Sequence, residues 1–160
     1  MLTETEVEQR FEELLEQGAP FSGVSSCVDK EKNLHFPFVD IDKLTEKRLP
    51  KLKARCQELV DKYEIGEIHY LISSKGKGHL IVGSLCTLRT TLTIQKFLRD
   101  DNKHRRFTKY MGHSTLRVSP KNGQVPKYMG ILVESPHTHP SFRLWIENYK
   151  RILKVETNGN

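Results

Sequence analysis

Hydrophobic residues recur along this chain with two periods, and the switches between them divide it into elements. Val7, Phe11, Leu14 and Leu15 share one helical face behind a Thr3/Glu6 capping box, and Gly18-Ala19-Pro20 stops the run, which predicts an amphipathic first helix. Residues 18–33 (GAPFSGVSSCVDKEKN) carry the Gly, Pro and Ser of a loop. The apolar run LHFPFVDID at 34–42 predicts a strand whose Pro37 marks its beginning or an edge. Leu52, Cys56, Leu59, Val60 and Tyr63 follow helical spacing, so about 46–63 is predicted helical, with Pro50 near the first turn and an end before Gly66. EIHYLIS (67–73) and HLIVGSL (79–85) are β-rich and joined by SKGKG, short enough for a hairpin.

The stretch TLRTTLTIQKFLRDD (87–101) is two-sided. Leu88/Leu92 and Ile94/Phe97/Leu98 suit a helix, the β-branched residues suit a strand, and its length selects a helix. STLRVS (114–119) and KYMGILVE (127–134) are predicted strands separated by the turn signal PKNGQVP. Pro140 then opens a closing helix over 139–154, with Phe142, Trp145, Ile146, Tyr149, Ile152 and Leu153 on one face and a frayed ETNGN tail. From Leu34 the order is β-α-β-β-α-β, followed by one more strand and a helix. This predicts one α+β domain over 1–160: helix and loop at 1–33, and a core at 34–134 in the RRM-like or ferredoxin-like arrangement, an antiparallel sheet with its helices on one face.

Composition narrows the setting. At 160 residues the chain can bury a core without disulfide or metal support. No apolar run approaches the roughly 20 residues needed to cross a bilayer, and the acidic, amphipathic start lacks the order of a signal peptide, so a soluble, cytoplasmic protein is expected. Cys27, Cys56 and Cys86 fit neither a disulfide framework nor a zinc knuckle and are expected as reduced core thiols. The net charge of +6 is uneven, with five Lys/Arg against two Asp in RDDNKHRRFTK (99–109), which favours a polyanionic partner such as nucleic acid or a nucleoside triphosphate.

Two short elements carry chemistry. Residues i and i+2 of a strand share a face, so Asp40 and Asp42 are expected to project together with Ile41 turned away. Carboxylates that close repel unless a cation offsets them, and Mg²⁺ or Mn²⁺, which take hard oxygen ligands, are the simplest such cations; a solvated strand end is the plain alternative. In SSKGKGHLIV (73–82), Gly76 and Gly78 allow close backbone approach, Lys75 and Lys77 supply cations, and His79 starts the next strand, which together make a phosphate grip or an ordinary hairpin turn.

Together these motifs resemble the archaeo-eukaryotic primase, or primase-polymerase, superfamily over about residues 34–134. FVDID resembles its hydrophobic-D-x-D motif, which implies Asp40 and Asp42 as metal ligands. SSKGKGHLIV resembles its Ser-x-His motif, which implies Ser74, Lys75, Lys77 and His79 on the nucleotide's phosphates. A third aspartate follows the next helix in that family, which implies Asp100 or Asp101, of which Asp101 is preferred here. STLRVSPK resembles the segment that contacts nucleotide or template, implying Arg117 and Lys121. The resemblance implies a catalytic core that uses two divalent metals, Mg²⁺ or Mn²⁺, to add nucleotides to a single-stranded DNA template, and it leaves open whether a helicase or a larger primase subunit works with it. Lys103, Arg105, Arg106 and Lys109 are expected on the template backbone, with Phe107 and Tyr110 either stacking a base or packing in the core. A noncatalytic RRM-like subunit binding single strands is the alternative. The His-Thr-His at 137–139 fits the His-hydrophobic-His pair of a rolling-circle nuclease poorly, because Thr138 is polar and Pro136 and Pro140 flank it.

Overall fold

A computed structural model describes residues 23–73, 75–118 and 124–158, with side chains as far as residue 153. The first helix expected ahead of Gly18, Ser74 in the hairpin and Lys121 in the turn lie outside these residues. The elements are β1 (Gly23–Ser25), β2 (Cys27–Asp29), β3 (Leu34–His35), β4 (Phe38–Ile41), α1 (Leu49–Tyr63), β5 (Ile68–Ile72), β6 (Gly78–Val82), β7 (Cys86–Thr87), α2 (Leu88–Phe97), α3 (Asn102–Met111), β8 (Thr115–Arg117), β9 (Lys127–Val133) and α4 (Phe142–Asn158).

The main sheet is antiparallel with the order β4-β6-β5-β9. Since β6 runs antiparallel to both neighbours, β4 and β5 are parallel, and β4-α1-β5 is a split crossover with β6 inserted between its strands. Alternation sorts the side chains. Val39, Ile68, Leu80 and Val82 pack with Leu52, Cys56, Leu59 and Val60 of α1 and with Ile94 of α2. Phe38, Leu71 and Ile81 face the other way, against Phe142, Trp145, Ile146 and Tyr149 of α4. Thus α1 and α2 share one face as expected, while α4 covers part of the face expected to be open.

Several expectations are corrected by the tertiary structure. Pro37 divides the 34–42 run: β3 pairs with β2 and β7, and β4 starts afresh beside β6. The 18–33 loop contains β1 and β2, whose middle residues Val24 and Val28 are buried in the α4-side core. β8 does not join the main sheet; it pairs with β1, with Gly23 opposite Arg117. The reason lies at the outer edge of β4, where Asp101 N–H donates to Asp40 O (2.7 Å) and the Asp100 carboxylate accepts from Asp40 N–H (2.6 Å), so that edge has no free pairing groups at Asp40. β9 takes the opposite edge, beside β5.

The helix expected over 87–101 ends earlier. Thr87 caps α2 by accepting from Thr90 N–H, and after Leu98 the chain turns through Arg99 in the left-handed region (φ 58°). The basic stretch is a helix of its own, α3, capped by Asp101 at its start and by Gly112 (φ 79°) at its end. A buried polar chain rivets α2 and α3 to the sheet. Gln95 Nε2 donates to Phe38 O (2.9 Å) and reaches Thr108 Oγ1 and Ser114 Oγ (3.2 Å each), and Ser114 N–H donates to Ser26 Oγ (2.9 Å). Cys56 and Cys86 are free, buried thiols, pushed by burial up to about 12 and about 11, while Cys27 is half-buried. Among the described residues no helix is long and apolar enough to cross a membrane.

Two buried imidazoles make stability depend on pH. His35 accepts from Ser26 Oγ at Nδ1 and donates to Asn33 Oδ1 at Nε2 (3.0 Å each). His69 contacts Tyr128 Oη at Nδ1 (2.7 Å), with Nε2 3.1 Å from Glu67 Oε1. Burial lowers both below the ordinary histidine range, with His113 adding to the effect on His35, whereas Glu67 only partly offsets it for His69. The unfolded chain therefore takes protons at about pH 6.5 that the folded chain refuses. Stability is expected to be full above that pH and to fall on acidification, each refused proton contributing a slope of at most about 1.4 kcal/mol per pH unit. His104, held above its ordinary value, acts in the opposite sense. Urea unfolding between pH 7.5 and pH 5 checks the net direction.

Candidate functional site

The site is built at the β4-β6 end of the sheet, on the face that α4 covers elsewhere. Asp40 turns its backbone N–H and C=O outward, to Asp100 and Asp101, so its partner across the ladder, His79, is a non-hydrogen-bonded neighbour. Side chains of such pairs stand close together. His79 Nδ1 accordingly donates to Asp40 Oδ1 (2.9 Å). The spacing of the pair follows from register, and the register follows from alternation: Val39 and Leu80 must face α1 and α2, which turns Asp40 and His79 to the other side.

Two more side chains arrive from the α2-α3 connection. Asp100 Oδ1 accepts from Asp40 N–H and also from His104 Nδ1–H (2.8 Å), one turn along α3. This turns His104 Nε2 toward Asp40 Oδ2, 3.9 Å away. The Asp100 side chain is fully buried and that of His104 is 10% exposed, while Asp40 and His79 open to solvent at 34% and 17%. Four groups from β4, β6, the connecting loop and α3 thus meet at one point.

Their protonation is coupled. Burial pushes Asp40 up, but the His79 hydrogen bond and the charges of His104, His79 and Lys77 outweigh it and hold the carboxyl below its ordinary range. Burial dominates at Asp100 and raises it despite the His104 hydrogen bond. For His104, burial alone would lower the value, yet the Asp100 hydrogen bond with the charges of Asp40, Asp100 and Asp101 raises it. Asp100 Oδ2 and His104 Nε2 are buried without a hydrogen-bond partner, two of four such side-chain atoms among the described residues.

The hairpin lies alongside. Ser73 N–H donates to Lys77 O (2.8 Å) and Gly76, at φ 78°, accepts from Leu44 N–H (2.9 Å), which ties the tip to the chain leaving β4. A Cβ on Gly78 would stand 2.7 Å from Leu44 Cδ2, so a side chain there would have to displace Leu44. Lys75 and Lys77 are exposed at the tip.

The structure rearranges the expected site in two ways. β4 ends at Ile41, so Asp42 lies in a bend beyond it, 78% exposed, with Oδ1 4.0 Å from Lys77 Nζ. Asp101, preferred as the third carboxylate, caps α3 by accepting from Lys103 N–H (2.9 Å), and Asp100 is the residue whose carboxylate reaches Asp40. Arg117 sits on β8 opposite Gly23. Lys103, Arg105, Arg106 and Lys109 all lie on α3, beside exposed Phe107 and Tyr110. In the sequence His104 reads only as part of a basic stretch. Its signal was Asp100-x-x-x-His104, an acid and an imidazole one helical turn apart. Among the described residues, no group of three or more His, Cys, Asp or Glu side chains is placed so as to hold a metal ion.

The chain matches no protein-family model, no curated protein and no solved structure.

Proposed function

We propose that the chain is a template-dependent nucleotidyltransferase of the primase-polymerase kind, adding nucleotides from nucleoside triphosphates on single-stranded DNA with Mg²⁺ or Mn²⁺. The observation that carries this reading is the meeting of Asp40, Asp100, His79 and His104 beside a hairpin that presents Lys75 and Lys77. The split β4-α1-β5 crossover with β6 between its strands supports the RRM-like core that the reading assumes.

The residues suit a divalent ion. Asp100 Oδ2 is buried without a partner, Asp40 is held ionised and half-open, and Asp42 offers a third hard oxygen donor at the rim. These three carboxylates would hold the ion, whose chemistry is to acidify an attacking hydroxyl and neutralise phosphate charge. His79 is fixed by Asp40 at Nδ1, which leaves its other nitrogen to bind or orient a phosphate. Lys75 and Lys77, with the left-handed Gly76 backbone, would meet the rest of the triphosphate charge, and Ser74 belongs to this reading through the resemblance alone. Arg117 and Lys121 belong to this reading through the resemblance alone.

α3 would carry the template. Its outward face combines Lys103, Arg106, Phe107 and Tyr110, and Tyr110 is 88% exposed, so it packs in no core. Tyr110→Ala is expected to weaken single-stranded DNA binding by about 1–3 kcal/mol, the worth of one stacked base, without changing thermal stability. Fluorescence anisotropy with a labelled oligonucleotide measures it. The same face also favours a second reading, a noncatalytic single-strand-binding subunit that works beside a helicase or larger primase subunit; it predicts DNA binding that survives Asp40→Ala/Asp42→Ala.

The test is incorporation of labelled ribo- or deoxyribonucleotides on primed and unprimed single-stranded templates. The wild type should extend with Mg²⁺ or Mn²⁺ and stop when EDTA is added. DNA binding with no incorporation of either nucleotide class under either metal would favour the binding subunit.

A further inference from the structure

We propose that His104 is a nitrogen ligand of the divalent ion held at Asp40, which makes this site prefer transition-metal dications such as Mn²⁺ over Mg²⁺. The inference rests on the metal-holding part of the function proposed above and adds a donor that the resemblance does not supply.

Three observations lead to it. His104 Nε2 has no hydrogen-bond partner although its side chain is nine-tenths buried, a costly condition for a ring nitrogen unless something else meets it. Its direction is set from behind, because Nδ1–H is committed to Asp100 Oδ1 at 2.8 Å. A carboxylate on one ring nitrogen and an ion on the other is the usual arrangement of a metal-binding histidine, since the carboxylate fixes the tautomer and raises the basicity of the free nitrogen. Finally, Nε2 lies 3.9 Å from Asp40 Oδ2, too long for a hydrogen bond. It is within the span of two donors that each sit about 2.0–2.2 Å from one ion.

The consequence is selectivity. Mg²⁺ holds oxygen ligands and sheds water reluctantly, so an imidazole adds little for it. Ions of the Mn²⁺ to Zn²⁺ series accept mixed nitrogen and oxygen sets. The shell would be completed by Asp42, the orphaned Asp100 oxygen, water or substrate phosphate. His79 cannot use its Nδ1 in the same way, because that nitrogen already donates to Asp40 Oδ1.

The experiment uses Mn²⁺ as the probe, titrated into the full chain with Mg²⁺ as competitor and read by pulsed electron paramagnetic resonance for directly bound nitrogen. Wild type is expected to bind Mn²⁺ with a nitrogen coupling and to favour it over Mg²⁺ by at least about tenfold. His104→Gln should abolish the coupling and weaken Mn²⁺ binding by about 10- to 100-fold, with Mg²⁺ binding little changed. Growing the wild type on ¹⁵N-histidine must replace the ¹⁴N coupling by a ¹⁵N coupling with the affinity unchanged, and this arm needs no variant to fold. Bound Mn²⁺ without nitrogen coupling, or a coupling that persists in His104→Gln and disappears in His79→Gln, overturns the assignment. No Mn²⁺ binding at all overturns it together with the metal-dependent reading. Nitrogen-coupled Mn²⁺ without nucleotide incorporation supports the ligand and removes only the nucleotidyl-transfer reading.

Discussion

Asp40→Asn is expected to lower nucleotide incorporation by about 10²- to 10³-fold, the usual loss when one fixed electrostatic partner leaves a reacting centre. The variant isolates charge from fold. Asn Oδ1 can accept the His79 Nδ1 hydrogen bond that the carboxylate accepts, and the backbone bonds to Asp100 and Asp101 involve no side-chain atom of residue 40. What disappears is the one negative charge that His79, His104 and Lys77 jointly hold ionised. Asp42→Asn should cost less, about tenfold or under, because its carboxylate is 78% exposed and screened by water beside Lys77. Single-nucleotide extension rates of both variants, with melting temperatures measured alongside, separate the two residues. Equal rates for Asp40→Asn and wild type would end the catalytic reading.

Asp100→Ala is expected to destabilise the fold by about 3–5 kcal/mol, as when one member of a buried charged pair is removed. Asp101→Ala should cost about 1 kcal/mol, the loss of a helix cap. Neighbours in sequence, they do different physical work. Asp100 lies fully buried, and its Oδ1 satisfies both Asp40 N–H and His104 Nδ1–H, so alanine leaves two buried donors unpaired and loosens α3 from the edge of β4. Asp101 serves α3 through its side chain and β4 through its backbone N–H, and only the former is lost on truncation. Urea titrations of the two variants measure the difference, and a larger loss at Asp101 would contradict this view of the connection.

The contrast also shows how far the chain could be read without coordinates. The helix over 49–63 was legible because Leu52, Cys56, Leu59 and Val60 repeat at helical spacing, and all four are buried. The β5-β6 hairpin was legible because SKGKG separates two β-rich runs, and Gly76 takes the positive φ that such a turn needs. α3 was missed although its caps, Asp101 and Gly112, stand in the sequence, because a dense run of charge hides the single buried position, Thr108. The partners of β8 and β9 were not legible at all. Strands of three and seven residues carry no label saying which edge will be vacant, and the β4 edge was taken by two residues of a loop.

By itself the sequence determined α1, the β5-β6 hairpin, β9 and the closing helix, and the presence of acid, imidazole and lysine at the β4-β6 end. Those follow from periodicity and local turn chemistry, which act over a few residues. Only the tertiary structure decided that Asp100 rather than Asp101 meets Asp40, that His104 joins them, and that Asp42 stands apart at the rim. Contacts between residues 60 positions apart depend on which edge groups remain unpaired once the sheet has formed, and no local pattern records that.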